Sequence, residues 1–248
     1  METFSRNELY WGKEAQENLK NANVAIFGLG GVGSFSAETL ARSGVGRFTV
    51  VDFDKVSQSN INRQLIALQS TVGISKAELV KDRILAINPK TKVTMIDDFY
   101  TADMNDIFDD KFDFVIDAID SFNFKIELIE FCHQNAIPIA TSMGAANRIC
   151  PEKLFIADIS EVQKINCPFA QRVIHRLRKD GIEENLPMVL SHEKPKNTEK
   201  ILTEEQIKTK SGKEIEFKKI TPATTPFVAP VAGIMLASIA VRQIIKHH

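Results

Sequence analysis

Short apolar runs alternate with stretches of helical period along the first 145 residues. Residues 24–27 form an apolar strand. A glycine turn over 28–33 follows it, and then a helix over 34–42. A second strand, 48–51, ends at Asp52. Helical periodicity returns over 76–87 and stops at Asn88-Pro89, where the proline disfavours a continuing helix. Further strands are predicted at 93–96, 112–116 and 137–140, with a helix over 125–135 between the last two. Residues 1–22 form an amphipathic leading segment. Strand and helix alternating at this spacing imply right-handed βαβ units and a parallel sheet covered on both faces.

Beyond residue 145 the rhythm changes. Strands are predicted at 154–159 and 188–190, a basic helix at 169–179, an exposed excursion or hairpin at 194–219, and a closing apolar helix at 227–245. The expected fold is α/β, a Rossmann-like, doubly wound, mostly parallel sheet with an antiparallel C-terminal extension. Residues 1–145 are expected to form the nucleotide-binding part. Residues 146–248 are expected to pack on the same sheet, making one continuous domain.

Composition narrows the functional classes. The chain has 248 residues, 44% of them hydrophobic and 25% charged, as in ordinary globular proteins. Lys plus Arg total 31 and Asp plus Glu 32, so any polyanion site must come from a local basic patch. Cys132, Cys150 and Cys167 lie 18 and 17 residues apart with no Cys-x-x-Cys pair. That spacing argues against structural zinc and a disulfide framework and fits a reduced, cytoplasmic setting. The N-terminal residues show no apolar signal core. The apolar run 227–241 contains Pro230 and falls short of the roughly 20 residues a membrane span needs, so no membrane association is expected.

The first chemical signal is Gly28-Leu29-Gly30-Gly31-Val32-Gly33, which follows a strand and opens a helix. Glycines permit the sharp turn and the close approach of phosphate to helix N-terminal N–H groups, where the dipole favours negative charge. Asp52 ends the next strand, 19 residues after Gly33, where a carboxylate accepts from ribose hydroxyls. A nicotinamide dehydrogenase would show the same features. The next segment points elsewhere, because Asp54, Asn60, Arg63, Gln64 and Lys76 follow in quick order. A guanidinium fork and an ammonium suit the outer phosphates of a triphosphate. Asp120, in Asp117-Ala118-Ile119-Asp120 at the end of the fourth strand, is placed to hold magnesium.

GLGGVGS, VDFD, NINRQ, VGISKAE, INP and DAIDS, in this order, resemble the adenylation domain of the ThiF, MoeB and ubiquitin-activating enzyme superfamily over residues 4–145. Phe4-Ser5-Arg6, the 41–46 segment and 60–64 are most similar to the tRNA threonylcarbamoyladenosine dehydratases within it. The resemblance implies a ligase-like enzyme that uses ATP and Mg2+ to adenylate a carboxylate, that of N6-threonylcarbamoyladenosine in tRNA, which then cyclises with loss of water. It implies that Gly28, Gly30, Gly31 and Gly33 underlie the nucleotide, that Asp52 binds ribose, and that Asp54, Asn60 and Gln64 shape the pocket. Arg63 and Lys76 would grip phosphates, and Asp120 would organise the metal. Arg6 matches an arginine that reaches the partner subunit's ATP, implying a homodimer. Proteins of the cysteine-desulfurase system are further implied partners. The alternative is adenylation of the C-terminus of a ubiquitin-like sulfur carrier, which predicts a transfer thiol and often zinc cysteines.

The second half carries less signal. Asn166-Cys167-Pro168-Phe169-Ala170 with Arg172, Arg176, Arg178 and Lys179 resembles the family's turn and basic helix, with Asn166-Cys167 in place of an acidic start. That helix is a candidate for tRNA phosphates. Residues 194–219 hold eight lysines and five glutamates, a mixed field. The 191–195 segment resembles a family stretch at the rim of the site. Where some relatives carry a proposed catalytic cysteine, residues 221–226 read Thr-Pro-Ala-Thr-Thr-Pro. Cys167 is the cysteine placed on a loop that could face the site, while Cys132 reads as core. His133, His175 and His192 have no carboxylate partner from spacing and read as surface.

Overall fold

A computed structural model describes residues 3–98, 100–196, 201–208 and 214–246. The chain opens with two short helices, α1 (Ser5–Trp11) and α2 (Lys13–Asn21), broken at Gly12, whose φ is +89°. The alternating pattern follows as β1 (Asn23–Phe27), α3 (Gly33–Ser43), β2 (Arg47–Val51), α4 (Lys76–Ile87), β3 (Lys92–Ile96), β4 (Phe114–Asp117), α5 (Phe122–Gln134) and β5 (Ile139–Ser142). The second half adds β6 (Leu154–Asp158), α6 (Pro168–Lys179), β7 (Pro187–Ser191), a hairpin of β8 (Ile201–Lys208) and β9 (Glu214–Thr221), and α7 (Val228–Ile244).

Seven strands share one sheet in the order β3-β2-β1-β4-β5-β7-β6. All neighbours are parallel except β6, which runs antiparallel to β7. This is the mostly parallel, doubly wound sheet that the pattern predicts, with its antiparallel strand at the C-terminal edge. Central β1 is buried at every position, so it reads as a continuous apolar run. Its residues divide by period two: Val24 and Ile26 join one core, with α3, α4 and α7, while Ala25 and Phe27 join the other, with α5 and α6. The hairpin expected within 194–219 is present as β8 and β9, and residues 197–200 and 209–213 lie outside the described residues.

Strand order reverses between β1 and β4, which opens a crevice at the carboxyl ends of these strands. Two close approaches build its floor. Gly28 has φ +84°, and a Cβ there would lie 2.8 Å from Ala118 O. A Cβ on Gly33 would lie 1.8 Å from Gly28 O, so the first turn of α3 rests directly on the end of β1. Replacing Gly33→Ala should push turn and helix apart and cost about 3 kcal/mol, the upper end for overpacking. Urea unfolding measures this, and a loss below ~1 kcal/mol would show that the contact yields.

Candidate active site at the sheet's carboxyl edge

Asp52 organises the floor of the crevice. It leaves β2 beside the glycine turn, and its Oδ2 accepts from Leu29 N at 2.6 Å while Oδ1 accepts from Asp54 N at 2.8 Å. Asp54 in turn accepts from Lys76 twice: its backbone oxygen takes Lys76 N at 3.0 Å, and its Oδ2 pairs with Lys76 Nζ at 2.6 Å. Lys76 begins α4 and is buried at 5% exposure, so this ammonium has a fixed address between two carboxylates. Ser75 caps the helix by accepting from Glu78 N, which sets the helix N-terminus toward the same acids.

The loop after β2 folds back over the turn. Asn60 closes a short 3-10 turn, with its Oδ1 accepting from Ser57 N at 3.1 Å and its backbone oxygen from Arg63 N and Gln64 N. Ser34 joins loop to turn, donating to Gly30 O at 2.7 Å and accepting from Leu65 N at 3.3 Å. Gln64 consequently lies over Gly30: a Cβ there would be 3.6 Å from Gln64 Nε2. Arg63 lies against Gly31, with its Cγ 3.4 Å from a Cβ built there. Its Nη1 donates to Ser59 O and Asn62 Oδ1 at 2.8 and 2.9 Å. Burial lowers the Arg63 pKa, and the Asp120 carboxylate opposes that shift through its charge, so these two groups interact across the crevice. Gln64 Oε1 is buried without a protein partner, an open position that a bound polar molecule or water would fill.

The turn that carries Asp120 is anchored from below. Asp117, at the end of β4, accepts from Lys125 Nζ at 2.5 Å and from Thr141 Oγ1 at 2.5 Å, while its Oδ1 accepts from Ile119 N at 3.0 Å. Lys125 and Asp117 are both fully buried. The sequence pattern marks Asp117 but not its partners Lys125 and Thr141. The available signal was a lysine on the apolar stripe of the helix, in phase with Leu128, Ile129 and Cys132.

The predicted residues thus fall into three groups. Gly28, Gly30, Gly31, Gly33, Asp52, Asp54, Arg63, Gln64, Lys76 and Asp120 converge on one crevice, with Asn60 shaping its loop. Arg6 stands apart. Its helix α1 packs at the far end of α3, where Asn7 Nδ2 donates to Arg42 O at 2.8 Å, and α3 is 11 residues long, about 16 Å. Cys167 is buried among Ile165, Ala170 and Val173 rather than lining the crevice. Cys132 is core, where burial with Asp117 nearby pushes its thiol pKa up. His133 and His175 are exposed, and His192 stacks on Phe155 at 3.9 Å. Glu193, at the predicted rim, accepts from Ile149 N and Cys150 N. On α6, Arg172 lies 4.7 Å over the Phe122 ring beside the Asp120 turn, while Arg178 donates inward to Ile159 O and Val162 O. No helix among the described residues is long and apolar enough to cross a membrane.

These features define a nucleotide-binding α/β protein, and the chain belongs to the ThiF family, whose pattern matches residues 4–247. It is 44% identical over 247 residues to the tRNA threonylcarbamoyladenosine dehydratase of Bacillus subtilis, covering 98% of this chain and 94% of that one. It is 39% identical over 184 residues to the Escherichia coli enzyme of the same name, 73% of this chain and 68% of that one. The crystal structure of E. coli TcdA, a tRNA N6-threonylcarbamoyladenosine dehydratase solved in complex with ATP, superposes with a TM-score of 0.83 at 31% identity, covering 98% and 94% of the two chains.

The electrostatics of the floor give a testable consequence. Burial raises the Asp52 pKa above its ordinary 3.8 and Asp54 adds to this, while Lys76 and the Leu29 and Asp54 amides oppose it. As pH rises past the ordinary value the unfolded chain ionises first, so the folded state holds more protons and loses relative stability until its own, higher pKa is passed. Asp52→Asn should flatten that fall, read as urea midpoints between about pH 4 and pH 7. Parallel profiles for the two proteins would contradict the assignment.

Proposed function

We propose that this protein is an ATP-dependent tRNA dehydratase that adenylates the carboxylate of N6-threonylcarbamoyladenosine and lets it cyclise. The observation that carries the reading is the convergence of Arg63, Lys76 and Asp120 on the crevice above the Gly28–Gly33 turn, together with the high identity to dehydratases along almost the whole chain. A carboxylate is unreactive at carbon because its leaving group would be oxide. Attack of one carboxylate oxygen on the α-phosphorus of ATP forms a P–O bond and expels pyrophosphate, leaving an acyl group with AMP as its leaving group. A carbamoyl heteroatom of the same threonylcarbamoyl group then attacks the acyl carbon, closes a five-membered ring with loss of a proton and releases AMP, so that water is lost overall and ATP is consumed.

The residues divide this work. Asp52 takes the ribose hydroxyls, and the N–H groups of the turn lie under the phosphates. Arg63 and Lys76 draw charge from the departing pyrophosphate, a term commonly worth about 100- to 1000-fold in rate. Magnesium fits this donor set. Among the described residues no cluster of three metal-binding side chains exists, and Mg2+ is usually held by one or two carboxylates plus substrate phosphates, which Asp120 and ATP would provide. When bound, the ion neutralises phosphate charge.

Arg172 on α6, beside the Asp120 turn, supplies a cation for tRNA backbone near the reacting carboxylate. The reading places the enzyme in the cytoplasm with its tRNA. It also extends to a homodimer: α1 buries no residue, and its Leu9 and Tyr10 are 80% and 89% exposed next to Arg6, a surface suited to a second copy that brings Arg6 to its neighbour's ATP. Sulfur-carrier activation is the alternative, and it would require a protein C-terminus in place of tRNA to drive pyrophosphate release.

Incubation with ATP and tRNA bearing the threonylcarbamoyl group should release pyrophosphate and lower the mass of the modified nucleoside by one water, and unmodified tRNA should do neither. Pyrophosphate release driven by a Gly-Gly protein terminus alone would replace this reading with the alternative. Arg63→Ala and Lys76→Ala should each lower turnover about 100-fold or more with unfolding midpoints retained for Arg63→Ala; unchanged turnover in either removes that residue from the site. Chelation of divalent ions should abolish turnover and Mg2+ should restore it, while turnover that persists in chelator would exclude a required ion.

A further inference from the structure

Arg148 is 4% exposed, yet its guanidinium reaches backbone carbonyls: Nη1 donates to Gly144 O at 2.6 Å and Ala146 O at 2.9 Å, and Nε donates to Glu193 O at 3.1 Å. Nη2 is buried with no partner. The nearby Glu193 carboxylate accepts from the Ile149 and Cys150 amides. A buried cation satisfied by carbonyls and left one donor short is costly, and a simple surface turn does not require it. What it does is gather two loops, one following β5 and one following β7, both at the carboxyl edge of the sheet.

The same node holds a third segment. Arg148 O accepts from Thr225 Oγ1 at 2.9 Å, and Asn147, in the left-handed region at φ +60°, donates its N–H to Ala223 O at 2.7 Å. One residue along, Thr224 O accepts from Asn62 Nδ2 at 2.9 Å, and Asn62 Oδ1 accepts from Arg63. The chain then enters α7, where Ala229 lies 3.2 Å from a Cβ built on Gly31. Residues 222–226 therefore form a strap, held to the Arg148 loop at Ala223 and Thr225 and, between these two points, to Asn62 beside Arg63.

We propose that Arg148 is a positioning residue for the acceptor carboxylate: it fixes the wall made by residues 144–148 and the strap, against which the threonylcarbamoyl group of tRNA lies during attack on ATP. The proposal rests on the dehydratase reading. The ends of β1, β2 and β4 hold the nucleotide, and none of their residues sets where the incoming carboxylate sits. The clasp joins the remaining sides of the crevice. The fork geometry matters, because a lysine ammonium cannot span carbonyls of two loops as a planar guanidinium does.

The test compares Arg148→Met, Arg148→Lys and Thr225→Val with the unaltered protein. Binding of radiolabelled ATP without tRNA is read by equilibrium dialysis, kcat/KM for threonylcarbamoylated tRNA by pyrophosphate release, and backbone amide exchange over 144–148 and 222–226 without any substrate. Arg148→Met should lower kcat/KM for tRNA by about 10- to 100-fold, the scale of an ångström-sized misplacement, with ATP affinity unchanged and faster exchange in both segments. Arg148→Lys and Thr225→Val should shift the same readouts in the same direction by less. ATP affinity falling in step with turnover, or exchange unchanged in both segments, overturns the proposal. So does unchanged kcat/KM in Arg148→Met and Thr225→Val when the unaltered protein is active. If Arg148→Met does not fold, Thr225→Val, which removes only one hydroxyl contact, decides by the same criteria. If the unaltered protein releases no pyrophosphate with modified tRNA, the dehydratase reading fails, and amide exchange still judges the clasp.

Discussion

The site depends on one buried carboxylate that three separate pieces of chain converge upon. Asp52 takes a 2.6 Å hydrogen bond from the Leu29 amide in the turn after β1 and another from Asp54 in the loop after β2, with the Lys76 ammonium at the head of α4 balancing its charge. Burying such a charge is unfavourable unless it is paired and hydrogen-bonded, so the turn, the loop and the helix must arrive together. The same contacts that satisfy Asp52 shape the floor of a nucleotide pocket. Fold and function thus share a constraint at this point, since loosening the carboxylate would free the glycine turn and the lysine with it.

From that floor the chemistry is assembled by layers. Glycines 28 and 33 let β1, α3 and the β4 loop approach until no side chain fits between them. The 60–64 loop lays a guanidinium and an amide over the turn, and the fully buried Asp117–Lys125 pair holds the Asp120 turn opposite. In the proposed reaction, charge developing at the α-phosphate would meet groups already in place, which lowers such a barrier without reorganisation. In the proposed arrangement the second half of the chain closes the remaining sides through the Arg148 clasp and α6.

Much of this was legible in the sequence, for identifiable reasons. The β1–turn–α3 unit combines a short continuous apolar run, glycines and a helix start, and each signal is local. Asp52, Arg63 and Lys76 stand out in the sequence because their residue types suit phosphate and ribose chemistry within a short span, and the fold brings them to one crevice. Arg148, Lys125 and Thr141 do not stand out. Lys125 reads as an ordinary helical charge until β4 places Asp117 beneath it, and Arg148 joins two loops only because its fork reaches the Glu193 carbonyl, 45 residues away, as well as those of Gly144 and Ala146. Contacts between distant segments carry no periodicity, so pattern alone does not reveal them. Cys167 shows the converse: a loop position suggests access, but as the N-cap of α6 it is buried within the core cluster beneath that helix.

In the proposed reaction a carboxylate oxygen attacks the α-phosphorus of ATP over the glycine turn. The direct measurement is the fate of a heavy-oxygen label placed in the threonyl carboxylate of modified tRNA. After a single turnover, one labelled oxygen should appear in AMP, carried there when the ring closes. Label appearing in orthophosphate, or AMP free of label while the cyclised product forms, would contradict it.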